Sequence, residues 1–273
     1  MSPEQDRSVP FPRSLILPAF CAAHVHEPGR SSDLESGSRP GCGGGQTEGV
    51  AEFDAVILAG GTGRRLGGVD KGGLVVAGVP LLDRVLQASA AARHTVVVGE
   101  ARATVREAHW AREDPPGGGP LAGLAAGLTA LAGLTALAEP TKPAGPTELA
   151  EPTGRANVAE RNDEELPVIV LATDLPWLRP MDLDRLVAAL AAEPAAEAAV
   201  FSDPEGRLQP LAAAYRIRPI RVALAAVGPV HGKPVKLVLH ALAVVTVPDL
   251  GAAGDCDTPD QLAAARAHFD RQG

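Results

Sequence analysis

Beyond Phe53 the chain alternates short β-branched runs with longer alanine- and leucine-rich stretches, the pattern of buried strands separated by the helices that cover them. Apolar runs predict strands over residues 55–59, 95–98, 168–172, 198–202, 211–215 and 243–247. Helical spacing predicts helices over 81–91, 121–134, 183–192, 217–227, 235–240 and 259–268. Alternation of this kind belongs to an α/β fold with a mostly parallel central sheet flanked by helices, and parallel βα units are its simplest topology. Asp203-Pro204-Glu205-Gly206 lies between two strand-like runs and predicts a hairpin turn after Phe201.

Two stretches break the pattern. Residues 1–51 are rich in proline, serine and glycine, and their one apolar piece starts late and is interrupted by Pro18, a poor signal peptide. They read as a disordered extension without bearing on catalysis, leaving 52–268 as the folded domain. Residues 130–165 form a low-complexity insert, LTALAGLTALAEPTKPAGPTELAEPTG at its heart, whose prolines and small residues argue against packed structure. Surface insertions cost stability only slowly as they lengthen.

Composition narrows the class. Twenty-five Lys and Arg against 33 Asp and Glu give a net charge of −8, which disfavours a broad nucleic-acid surface. No apolar run approaches the roughly 20 residues that span a bilayer. Hydrophobic residues make up 45% of the chain but aromatics only 3%, so alanine, valine and leucine must fill the core. Three widely spaced cysteines, Cys21, Cys42 and Cys256, do not suggest a disulfide framework, and a cytoplasmic location is expected. Cys21 with His24 and His26 lacks a second ligand pair at zinc spacing.

The chemistry concentrates in residues 55–83, AVILAGGTGRRLGGVDKGGLVVAGVPLLD. An apolar strand ends at Gly60 and Gly61, where absent side chains let backbone N–H groups cradle phosphate oxygens, and Arg64, Arg65 and Lys71 add positive charge. A nucleoside triphosphate is the natural guest. A P-loop fits badly, because Lys71 follows Asp70 and precedes Gly72. The dinucleotide fingerprint fails at Leu66, where its third glycine belongs. Asp174, after the apolar run 168–172, is placed either to hold a divalent cation at a strand's carboxyl end or to cap the turn before Pro176. The loop Glu113-Asp114-Pro115-Pro116-Gly117-Gly118-Gly119-Pro120 permits close approach to a base or ribose ahead of a helix N-terminus.

Leu58, Ala59, Gly60, Gly61, Arg65, Gly67, Asp70 and Lys71 match the LAGG-x-x-x-R-x-G…DK signature, and this segment resembles the sugar-nucleotide-type nucleotidyltransferases. GGVDKGGL followed by Pro80-Leu81 is most similar to the molybdenum cofactor guanylyltransferases within that group. The resemblance implies a Rossmann-like nucleotidyltransferase fold. It also implies transfer of GMP from GTP to molybdopterin cofactor with loss of pyrophosphate, Mg²⁺ as cofactor, and contact with other molybdenum cofactor proteins. It assigns Leu58, Ala59, Gly60, Gly61, Lys71, Asp114 and Asp174 to the nucleotide, with Arg65, Lys71 and Asp174 catalytic.

Asp174 matches the metal-ligating aspartate of the family's C-D-x-P motif, with Thr173 in place of the cysteine. Asp114, followed by GPLAG, matches the family's nucleotide-contacting aspartate in preference to Glu113. Asp255-Cys256-Asp257-Thr258-Pro259 resembles the closing element, in which Asp257 adds a second metal carboxylate or the motif serves only to start the last helix, with Thr258 as N-cap and Pro259 at its first position. Gln209-Pro210-Leu211 resembles the stretch facing the acceptor, and Lys233 and Lys236 loosely match a Gly-x-Arg element. Relatives often carry asparagine after the second strand, where this chain has Gly99. Two rivals stand: a nucleotidyltransferase with a sugar phosphate or other phosphorylated metabolite as acceptor, and a cofactor-binding protein without turnover.

Overall fold

A computed structural model of the protein describes residues 16–17, 52–60, 70–138 and 166–271. Its strands are β1 (Ile16–Leu17), β2 (Asp54–Leu58), β3 (Val75–Val76), β4 (Val79–Pro80), β5 (Thr95–Val98), β6 (His109–Ala111), β7 (Pro167–Ala172), β8 (Ala198–Ser202), β9 (Leu208–Arg216) and β10 (Val244–Pro248). Its helices are α1 (Leu81–Ala88), α2 (Pro120–Ala138), α3 (Pro180–Ala192), α4 (Ile217–Val227), α5 (Lys236–Leu239) and α6 (Pro259–Asp270). Eight strands form one sheet in the order β1-β10-β8-β9-β7-β2-β5-β6, and β3 pairs with β4 in a small hairpin.

Alternate side chains of the central strands bury into two layers, as the two-residue period of a strand requires. Ala55 and Ile57 face a core with Leu82 and Leu86 of α1 and Leu183 and Leu186 of α3. Val56 faces the opposite core, with Leu121 and Leu124 of α2, Tyr215 of β9 and Ile220 of α4. A Cβ at Gly127 would come within 2.4 Å of Val56 Cγ1, so this glycine sets how closely α2 lies on β2. A third cluster joins Val76, Leu81, Cys256 and Leu262, holding α6 against the hairpin. There Trp177 stacks on Phe269, their ring centroids 5.1 Å apart.

Three expectations need correction. Parallel βα units do not account for β9, which runs antiparallel to both β7 and β8. The turn at residues 203–206 reverses the chain: Gly206 N–H donates to the Asp203 carbonyl at 2.9 Å, and Arg207 N–H to the Asp203 carboxylate at 2.7 Å. The region assigned to the insert begins as helix, since α2 runs to Ala138 with Leu131 fully buried; alanine and leucine are strong helix formers whatever their repetitiveness. Residues 139–165 lie outside the described ones. Finally, within the expected extension Ile16–Leu17 pairs in parallel with Val244 and Val245 at one sheet edge; the rest of 1–51 lies outside the described residues. No helix among the described residues is long and apolar enough to cross a membrane.

Candidate active site

The carboxyl ends of β2, β5, β7 and β10 meet on one edge, where an open α/β sheet collects its ligands. The ends are tied together: Ala59 N–H donates to the Val98 carbonyl at 2.8 Å, Thr173 N–H to Leu58 at 3.2 Å, and Cys256 N–H to Asp174 at 3.1 Å. A cleft of about 660 Å³ opens there, with Gly60, Lys71, Glu113, Asp174, Gln209 and Asp257 on its walls. A second cavity of about 520 Å³ shares Gly60, Glu113 and Gly117 with it.

Lys71 begins a short 3₁₀ turn, Lys71–Gly73, capped by Asp70, whose carboxylate accepts from Gly72 N–H at 3.2 Å and pairs with Arg102. From this turn the Lys71 ammonium donates to Asp174 Oδ2 at 2.8 Å and also to Asp257 Oδ1. Asp174 comes from the end of β7 and Asp257 from the segment before α6, so three distant parts of the chain converge on one charge. Burial lowers the lysine's pKa, but the hydrogen bonds and attraction of Asp174 and Asp257 outweigh it, and the net value is raised. Asp255 lies on the same wall, exposed at its rim, its pKa raised by partial desolvation against the wall and then by Asp257 and Asp174. Beneath it Cys256 is buried, its thiol pushed up to about 11 by burial and then by Asp174 and Asp255.

Asp174 gives its carboxylate to Lys71. At the last helix Thr258 does the capping: its hydroxyl accepts from Gln261 N–H at 3.3 Å while Gln261 Oε1 accepts from Thr258 N–H at 2.9 Å. The Asp257 carboxylate is thereby turned to the cleft.

Among the described residues no three His, Cys, Asp or Glu side chains converge as a metal cage. Two carboxylates already sharing one cation are nevertheless a fitting donor set for Mg²⁺, which binds through one or two carboxylates and leaves its other positions to phosphates and water. The Thr173 hydroxyl, buried without a hydrogen-bond partner among the described residues, adds a hard oxygen beside Asp174 in sequence.

Leu58 and Gly60 line the cleft, and Ala59 lines the adjoining cavity. Gly61, Arg64, Arg65 and Gly67 lie outside the described residues. Asp114 is exposed and does not line the cleft; its neighbour Glu113 does, with Oε1 accepting from Gly117 N–H at 3.1 Å. Sequence spacing could not separate these adjacent acids, because the loop that carries them is irregular. Gly99 also has a packing reason, since a Cβ there would press within 3.2 Å of the Ala59 backbone. Lys233 donates to the Val227 carbonyl at the end of α4, at 3.0 Å, and Lys236 is exposed on α5. Arg102, which braces Asp70, had no sequence signal.

A sequence model of the MobA-like NTP transferase domain matches residues 55–237. The chain belongs to the MobA-like NTP transferase family. The match includes Lys71 and Asp174, while Asp257 lies beyond it. No curated protein matches the sequence. Among solved structures, molybdopterin-guanine dinucleotide biosynthesis protein A from Archaeoglobus fulgidus is 20% identical, with a TM-score of 0.56 over 80% of this chain and all of that one. The 2-C-methyl-D-erythritol 4-phosphate cytidylyltransferase from Thermus thermophilus is 19% identical, with a TM-score of 0.52 over 80% of this chain and 99% of that one. At these identities the likenesses show the fold: this MobA-like chain has the architecture of the nucleotidyltransferases.

Proposed function

We propose that this MobA-like nucleotidyltransferase transfers GMP from GTP to the terminal phosphate of molybdopterin cofactor, releasing pyrophosphate, and uses Mg²⁺. The observation that carries the reading is the meeting of Lys71, Asp174 and Asp257 at the sheet edge. A phosphate oxygen of the acceptor attacks the α-phosphorus; the new P–O bond forms as the bridging bond to the β-phosphate breaks, and pyrophosphate leaves with the electron pair. Such a reaction asks a protein chiefly for positioning and charge neutralisation.

Lys71 suits the β- and γ-phosphates, and Gly60 leaves room for them beside β2. Arg65, on the same glycine loop, supplies a second cation for the leaving group. Asp174 and Asp257 would hold Mg²⁺, which would supply charge neutralisation on the triphosphate oxygens. An ion held there would share these carboxylates with Lys71, whose ammonium already pairs with both.

The test is pyrophosphate release by the full chain given GTP, Mg²⁺ and molybdopterin. Release in that mixture and not with a sugar phosphate is expected. Release only with a sugar phosphate would move the acceptor to another phosphorylated metabolite, and tight binding without release would make the chain a cofactor-binding protein.

A further inference from the structure

The antiparallel strand carries an irregularity where it meets the cleft. Ala213 of β9 pairs with Val200 and Gln209 pairs with Phe201, so Pro210, Leu211 and Ala212 are inserted opposite adjacent residues of β8. Bulges of this kind bend a strand and re-aim its side chains beside functional sites. Pro210 suits the position, having no N–H to give to a ladder. Gln209, Pro210, Leu211 and Ala212 all form cleft wall.

The bulge is held from beneath. Tyr215, the chain's one tyrosine, lies fully buried in the core layer shared with α2 and α4, and its hydroxyl donates to the Pro210 carbonyl at 2.7 Å. Burial raises its pKa far above that of a free phenol, so the hydroxyl stays a donor. A phenylalanine would fill the same core volume; what the hydroxyl adds is this one bond. The sheet order sets which ligand the bulge faces. Asp174 follows β7, which is flanked by β2, ending near Gly60, on one side and by β9 with its bulge on the other. In-line transfer needs the attacking and leaving oxygens on opposite sides of the α-phosphorus. A donor seated at Gly60, beyond the end of β2, therefore leaves the bulge side to the acceptor.

We propose that Tyr215 is a positioning residue, whose hydroxyl fixes the 209–212 bulge in the shape that receives the phosphorylated acceptor. This rests on the nucleotidyltransferase reading above. Steady-state kinetics of Tyr215→Phe, with molybdopterin and, in a second arm, a sugar 1-phosphate as acceptor, should show the acceptor KM raised about fivefold, the worth of one hydrogen bond. The KM for GTP and kcat should stay within about twofold of wild type, a split that general loosening of the fold would not give. Gln209→Ala, on the cleft wall rather than in the core, should raise the same acceptor KM, and serves if Tyr215→Phe does not fold. An unmoved acceptor KM in these variants, or GTP and acceptor constants rising together, overturns the assignment. A wild-type chain that releases no pyrophosphate with either acceptor overturns it together with the reading it rests on.

Discussion

At the scale of single residues, Lys71 carries an opposite charge on either side, and removing any member leaves a partly buried charge uncompensated. Asp174→Ala should lower kcat/KM at least ~10²-fold, as loss of a charge-holding group at the transferring phosphate does. Near-normal turnover in that variant would take Asp174 out of the mechanism. Lys71→Ala should weaken triphosphate binding, measured by titration calorimetry, and an unchanged affinity would mean that the loop is misassigned. Because the pKa of Lys71 is raised in the fold, its stabilising charge is fully present below the ordinary lysine value and is lost as pH climbs through the folded one. Thermal stability should therefore fall above about pH 10.5, and Lys71→Met should blunt that fall. At pH 8 about a thousandth of Cys256 is thiolate, given a pKa of about 11. Mass spectrometry after iodoacetamide should find it unlabelled in the native chain and labelled after denaturation. Lys71, Asp174 and Asp257 were legible in the sequence because each sits in a motif tied to a strand end or helix start. Glu113 and Arg102 were not, since irregular loops give no period from which to read which side chain faces inward.

At the scale of elements, the runs of valine, isoleucine and leucine gave the central strands away because both faces are covered, so no polar alternation interrupts them. β6 escaped notice: three residues, His109 to Ala111, make too short a pattern to read. The reversal of β9 was half-legible, through the turn at Asp203 to Gly206, but its pairing with β7 on the other side depends on contacts far away in the chain. The insert was drawn from residue 130, inside the helix expected over 121–134, because low complexity was read as lack of structure, whereas Leu131 packs into the core and the helix continues to Ala138. Close packing of α2 on β2 yields a direct expectation. Gly127→Ala, which puts a methyl against Val56, should cost about 1–3 kcal/mol in urea unfolding, and full wild-type stability would mean that α2 sits farther from the sheet. At α6, Thr258→Ala should cost about 1 kcal/mol by removing the cap, while leaving the Asp257 carboxylate in place.

For the molecule as a whole, the sheet order does the assembling: β2, β7 and β9 lie side by side, so Gly60, Asp174 and the 209–212 bulge, distant in sequence, share one edge. α6, anchored through Trp177 and Phe269, brings Asp257 to the same edge from the other end of the chain. The net charge of −8 disfavours a broad nucleic-acid surface. The central claim is that Lys71 and the two aspartates form a triphosphate site dependent on Mg²⁺. Its most direct test is the melting temperature of the full chain with GTP, with and without Mg²⁺, in wild type and in Asp174→Ala. At ligand concentrations near a hundred times Kd, binding should stabilise the wild type by about 2.7 kcal/mol, with most of that shift lost when either Mg²⁺ or the Asp174 carboxylate is removed. An equal GTP shift in all four conditions would contradict the account.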